Sequence, residues 1–106
     1  MTEKPRIIYA DRAEAGPELD RLVHLEVVGP IGEDNMVPPY STDWSAAEGL
    51  VSKLSGYCPP FEKDGRWNVC VSVPRGSASR LAESWASTRP LALCRAVLKA
   101  ALPAKD

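Results

Sequence analysis

Trp67-Asn68-Val69-Cys70-Val71-Ser72-Val73 alternates large apolar residues with small or polar ones. Successive side chains of a strand point to opposite faces, so this period of two places Trp67, Val69, Val71 and Val73 together on one face. A strand with such a face cannot bury it alone; it needs neighbouring strands and a covering layer. The neighbours are legible on both sides. Asp64-Gly65 is a strong hairpin signal. The residues before it, 57–63, read as a weak strand broken by Pro59-Pro60. Proline cannot donate to a ladder, so that strand belongs at an edge. Downstream, Pro74-Arg75-Gly76-Ser77 reads as a turn. Residues 80–86 alternate less cleanly, with Leu81 and Trp85 on one side, and fit either a strand or a short helix.

Helical spacing supplies the covering layer. Gly16-Pro17-Glu18 has the composition of a helix start: a tolerated cap, a proline at the first position and an acid near the positive helix end. Leu19, Leu22, Val23 and Val27 follow at helical intervals until Gly29-Pro30. A connector with Gly32, Asp34 and Asn35 leads to Pro38-Pro39-Tyr40, which is extended because a residue before proline avoids the helical region. A second helix is expected over 43–55, with Ser41, Thr42 and Asp43 as cap-competent residues and Trp44, Ala47, Val51 and Leu54 on one face. A third opens at Pro90 behind Ser87 or Thr88, carries Leu91, Cys94, Val97, Leu98, Ala101 and Leu102 on a broad apolar face, and stops before Pro103. Residues 1–15, with the short anchor Ile7-Ile8-Tyr9, read as a loosely ordered lead-in. The expected fold is therefore α+β: one domain over 1–106 in the order α-α-β-β-β-α, a three-stranded antiparallel meander covered by helices. From Asp43 onward this is the layout of the double-stranded-RNA-binding domain, an analogy of topology that says little about function.

Charge narrows the partners. The chain has 13 Lys and Arg against 14 Asp and Glu, a net charge of -1, and no basic run. That balance disfavours an electrostatic grip on nucleic acid or an anionic membrane. No apolar run is long enough to span a bilayer or to form a signal peptide, so no membrane association is expected. Cys58, Cys70 and Cys94 are odd in number and widely spaced. They match neither a disulfide framework nor a zinc site, and are expected to be reduced core residues, with no metal and no cofactor.

Two helix starts gather the chemistry. Tyr40-Ser41-Thr42-Asp43 brings a phenol, two hydroxyls and a carboxylate to free backbone amides, and Thr88-Arg89 adds a cation at a similar place. Tyr40, Ser41, Thr42, Asp43, Thr88 and Arg89 are thus the ligand-binding candidates, for a small anion. The plainer reading gives each residue only a local role, in which Ser41 or Thr42 caps, Asp43 complements the helix dipole, Tyr40 packs and Arg89 is solvated. Arg95 and Lys99 read as a solvated stripe. Trp44 and Trp67 fall on core-facing positions, whereas Leu81 and Trp85, with Glu83 on the same face, are candidates for a partner surface. A hydrolase would need His24, the only histidine, to act with Asp20 or Asp43 on Ser41 or Cys58. No spacing calls for that, and no nucleophile elbow or phosphate loop is present, so no catalytic residue is assigned.

Pro38-Pro39-Tyr40-Ser41-Thr42-Asp43-Trp44-Ser45-Ala46-Ala47 and Thr88-Arg89-Pro90-Leu91-Ala92-Leu93-Cys94-Arg95-Ala96-Val97-Leu98 also carry a resemblance. Small proteins of tailed phages and prophages share a P-x-Y-S-T-D-x-x-A-A segment, a Trp/Val-rich strand and a closing T-x-P-L-A-I-C-R-A-A-L segment. Over residues 18–102 the chain resembles the phage ABA-sandwich domain family. The resemblance implies a phage or prophage origin; with no catalytic constellation and no signal or membrane segment, the expected role is that of an accessory protein in the bacterial host cytoplasm that acts by binding rather than catalysis. Its partner would be a host protein, a phage protein, a small defence-signal ligand or a second copy of itself. The alternatives are a nucleic-acid-binding module and a small hydrolase. Against the first, the third helix opens with Arg89 as its single basic residue, where the RNA-binding domain presents a lysine cluster.

Overall fold

In the computed structural model, residues 13–32, 36–75 and 77–101 are described. The Ile7-Ile8-Tyr9 anchor, Asp34 and Asn35, Gly76, Leu102 and Pro103 lie outside them. The meander forms as the alternation predicts. Strands β1 (Gly56–Lys63), β2 (Arg66–Arg75) and β3 (Ala78–Ala86) pair antiparallel in that order, with β2 in the centre. Asp64 and Gly65 turn the first hairpin with φ of 55° and 79°, the left-handed pair that a two-residue turn of matching twist requires. The second turn is tighter than expected: β2 continues to Arg75, which pairs with Ala78. Residues 80–86, ambiguous by pattern, are strand. Pro59 and Pro60 do lie on an edge strand, and the β1–β2 register shifts between Cys58 and Phe61.

Helix α1 (Pro17–Val23) does not run unbroken to Gly29. At His24 it widens into a π-helical turn, His24–Val28, which closes when the Gly29 N–H donates to the His24 carbonyl at 2.9 Å. Helix α2 (Trp44–Val51) ends earlier than its apolar spacing suggests. Its last amides tighten, with Leu54 N–H donating to the Val51 carbonyl at 3.0 Å. Ser55 is then drawn into the sheet by an N–H bond to the Ser72 carbonyl at 2.7 Å. Helix α3 (Arg89–Ala101) is the longest of the described helices. Among the described residues no helix is long and apolar enough to cross a membrane.

Val69, Val71 and Val73 are buried under α3, and ten of its 13 residues are buried in turn. A helix apolar on one stripe needs a single covering surface, whereas one buried nearly all round must be enclosed. α3 is enclosed because it lies on β2 and β3 while α1, its π-helical turn and α2 pack against it. The layers are thus sheet, α3, then the remaining helices. Arg95 and Lys99 are not a solvated stripe. Arg95 donates from Nε to the Ala13 carbonyl at 2.7 Å and from a terminal nitrogen to the Trp85 carbonyl at 3.0 Å. Lys99 donates to the Glu83 carbonyl at 3.2 Å. Two cations of the central helix thereby cover carbonyls of the edge strand β3.

Candidate functional site

The two helix starts singled out by sequence have separate fates. At the first, Tyr40 and Ser41 turn inward. The Ser41 N–H donates to Asp20 Oδ1 at 2.7 Å, the Ser41 hydroxyl donates to the Gly16 carbonyl at 3.3 Å, and the Gly16 N–H donates back to Ser41 Oγ at 2.9 Å. Ser41 is buried and ties this loop to the start of α1, so it is not a cap. Asp43 caps α2 instead, its Oδ1 accepting from the Ser45 N–H at 3.1 Å, while Thr42 is exposed. The Tyr40 hydroxyl shares a 2.9 Å hydrogen bond with His24 Nδ1, and the two rings stack. Burial pushes the Tyr40 phenol up, and the neighbouring Cys94 and Asp20 push the same way. His24 therefore engages Tyr40, and Asp20 engages Ser41. These contacts fasten a loop to a helix.

At the second start, the hydroxyl of Thr88 lies 3.4 Å from the Leu91 N–H, and its carbonyl accepts from Ala92 at 3.0 Å. Next to this cap stands Arg89. Its guanidinium carbon lies 4.9 Å from the centroid of the Trp44 ring and 5.5 Å from that of Trp67. The arginine, from the first turn of α3, is thus held by one indole from the first position of α2 and another from β2. Tyr57, the β1 partner of Val71, adds a third aromatic residue. Burial raises its phenol, Glu48 adds to the rise, and Arg89 draws it back down, so the guanidinium is within electrostatic reach of Tyr57. The guanidinium carbon lies over both rings, and among the described residues none accepts a hydrogen bond from its N–H groups. Arg89 remains exposed.

The arrangement brings Arg89 and Thr88 next to Trp44, and so to the start of α2, but it leaves Tyr40 and Ser41 out. Sequence reasoning placed Trp44 and Trp67 at core-facing positions, left Tyr57 as the start of a weak strand, and joined none of them to Arg89. Trp44 and Trp67 are half-buried, which a core position read from periodicity alone does not distinguish from full burial.

The face of the sheet turned away from α3 is the more exposed one. Cross-strand register sets its residues in rows: Phe61, Asn68 and Trp85; Cys58, Cys70 and Glu83; Gly56, Ser72 and Leu81. Leu81 is 75% exposed. Trp85 is half-buried, because Phe61 meets its ring edge-on at 5.9 Å and Arg66 lies 5.2 Å from its centroid. The two partner-surface candidates share this face, but four residues of strand, roughly 13 Å, separate them. Asn68 is anchored below, donating to Glu83 Oε1 at 3.2 Å. Of the three cysteines only Cys94 is a core residue; Cys70 is half-buried and Cys58 exposed, because both project from the face turned away from α3. Among the described residues no cluster of three or more His, Cys, Asp and Glu side chains could hold a metal ion.

In fold the chain is similar to a phage protein from Bacillus cereus ATCC 14579, with 23% sequence identity, a TM-score of 0.63, and coverage of 86% of this chain and 95% of that one. The likeness establishes a shared fold. No family model matches the chain, and no curated protein is significantly similar to it.

Proposed function

We propose that this chain is a phage or prophage accessory protein that works in the bacterial cytoplasm by binding a partner protein, with Arg89 at the centre of the contact. The observation that carries this reading is the guanidinium lying over the Trp44 and Trp67 rings, within electrostatic reach of Tyr57. Arg, Trp and Tyr are the residue types that dominate binding hot spots, because they combine large apolar area with directed polar groups. Held between rings, Arg89 loses little side-chain freedom on binding and presents its N–H groups to an acceptor. A carboxylate of the partner is the group that matches them, through a paired charge-assisted bond. Three concavities lie elsewhere, lined by residues 13–19, by Arg66, Glu83–Trp85, Arg95 and Lys99, and by Pro17, Asp20, Arg21, Val37 and Pro39. An exposed arginine between half-buried rings suits a protein surface better than an enclosed small molecule. The shared fold with a phage protein and the two sequence segments described above support the origin.

Tagged chain is purified from a bacterial host with and without the phage, and its stoichiometric companions are compared among variants. A companion held by the wild type is expected to be lost from Arg89→Ala and Trp44→Ala and kept by Leu81→Ala. Removing a hot-spot arginine weakens a contact by about 2 kcal/mol or more, roughly thirtyfold in Kd. A companion that binds Arg89→Ala as tightly as wild type places the contact elsewhere.

A further inference from the structure

The face of the sheet turned away from α3 carries two thiols that spacing in the sequence does not bring together. Cys58 on β1 and Cys70 on β2 are direct cross-strand partners, and neither is in a disulfide. Opposed residues of antiparallel strands have Cα atoms about 4.5–5.5 Å apart, inside the ~4.4–6.8 Å that a disulfide spans. Their Cβ atoms, about 4.5–5.5 Å apart in such a pair, need to close by roughly 1 Å. β1 can supply that movement. It is an edge strand, and its ladder shifts register immediately after Cys58, where Pro59 and Pro60 offer no N–H. The two thiols already interact: burial first, then the charge and hydrogen bond of Cys58, and then Glu83 across the next strand, hold the Cys70 thiol above its ordinary range.

We propose that Cys58 and Cys70 form a dithiol modification site, on which a peroxide closes a cross-strand disulfide. Exposed Cys58 is the sulfur a peroxide reaches first. Its thiolate attacks one peroxide oxygen, the O–O bond breaks, and the departing oxygen takes a proton and leaves as water, giving a sulfenic acid. Cys70 then attacks the Cys58 sulfur. The S–S bond forms, the S–O bond breaks, and the hydroxyl leaves with the Cys70 proton as a second water. Two thiols have lost two electrons and two protons, and one peroxide has become two waters. Cys70 is the less exposed of the two sulfurs, which orders the two steps. The product fastens the edge strand to the central one where the ladder is broken, so this face exists in an open and a tied form.

Full-length native chain is treated with equimolar hydrogen peroxide, alkylated, denatured and alkylated with a second reagent before mass mapping. The expected result is a bridged peptide pair containing Cys58 and Cys70, reversed by dithiothreitol, with Cys94 labelled only after denaturation. In Cys70→Ser the reaction is expected to stop at Cys58, with a sulfenic acid captured by dimedone at several times the wild-type yield. Wild-type chain that oxidises at Cys58 alone, or that links Cys58 to Cys58 between copies, overturns the proposal. The wild-type measurement needs no variant to fold.

Discussion

Arg89 touches two indoles while remaining in water, and an exposed cation–π contact of this kind contributes about 0.5–1 kcal/mol. Arg89→Ala is therefore expected to lower stability by about 1 kcal/mol, read from the denaturant midpoint, and to shift the tryptophan emission. Arg89→Lys should recover only part of this, since an ammonium has no plane to stack. An unchanged midpoint and spectrum would mean that the guanidinium does not rest on the rings. Cys94 gives a second expectation. It is wholly buried, and burial, followed by Asp20, pushes its thiol far up; Tyr40 is raised as well. In the unfolded chain these groups release protons near their ordinary values of 9.0 and 10.0. The native chain holds its protons longer, so the unfolded state binds fewer and stability falls as pH rises above about 9. Cys94→Ala should make that fall shallower, whatever its effect at neutral pH. Equal slopes in urea titrations of both proteins would show that the thiol ionises freely in the fold. At this scale the sequence is ambiguous for a physical reason. A serine near a helix start can cap that helix or, like Ser41, bond to another element 25 residues away, and only the fold decides between them.

Elements differ in how openly the chain announces them. β2 is plain, because every second residue from Trp67 to Val73 is large and apolar. β3 is not, because the residues it turns toward α3 are Ala82, Ser84 and Ala86, the partners of Val71, Val69 and Trp67. Small side chains let a helix lie close, and they erase the hydrophobic alternation by which a strand is recognised. The π-helical turn at His24 leaves no mark at all, since its residues keep near-helical spacing. Arg95 and Lys99, four apart on an amphipathic helix, have the pattern of a solvent face, and a strand edge that accepts their hydrogen bonds cannot be told from water by spacing. Their position has a consequence for association, because an uncovered edge is a template for a further strand. The double variant Arg95→Ala, Lys99→Ala is expected to lose about 2 kcal/mol, given that hydrogen bonds from charged groups contribute ~1.5–3 kcal/mol and these are partly exposed. It should also associate in a concentration-dependent way in sedimentation experiments. A double variant that sediments as the wild type does would show that the edge is protected by other means.

Across the whole molecule the layers are unequal. The sheet has one face against α3 and one more exposed, and among the described elements α1 and α2 reach the core mainly by packing on α3. Their own apolar residues, Leu19, Val23, Ala47 and Leu50, are wholly or almost wholly buried only because that helix is present. A chain ending at Thr88 keeps every strand and the first two helices but lacks the layer between them. It is expected to show no cooperative thermal transition and far less helix by circular dichroism than the missing residues alone would remove. A sharp transition in that fragment would mean that the sheet and the early helices support one another directly.

The order of manufacture gives the enclosed position of α3 a meaning in time. A ribosome adds roughly 5–20 residues per second and releases a chain from its amino end. Of the described elements, the one on which all the others depend is the last to emerge. Until then the hairpins and α1 have no stable partner and stay exposed to proteases and to one another. Docking of α3 is thus expected to be a late, nearly all-or-none step for the described elements: synthesis that stops before Arg89 should yield a substrate for degradation instead of a partly working protein.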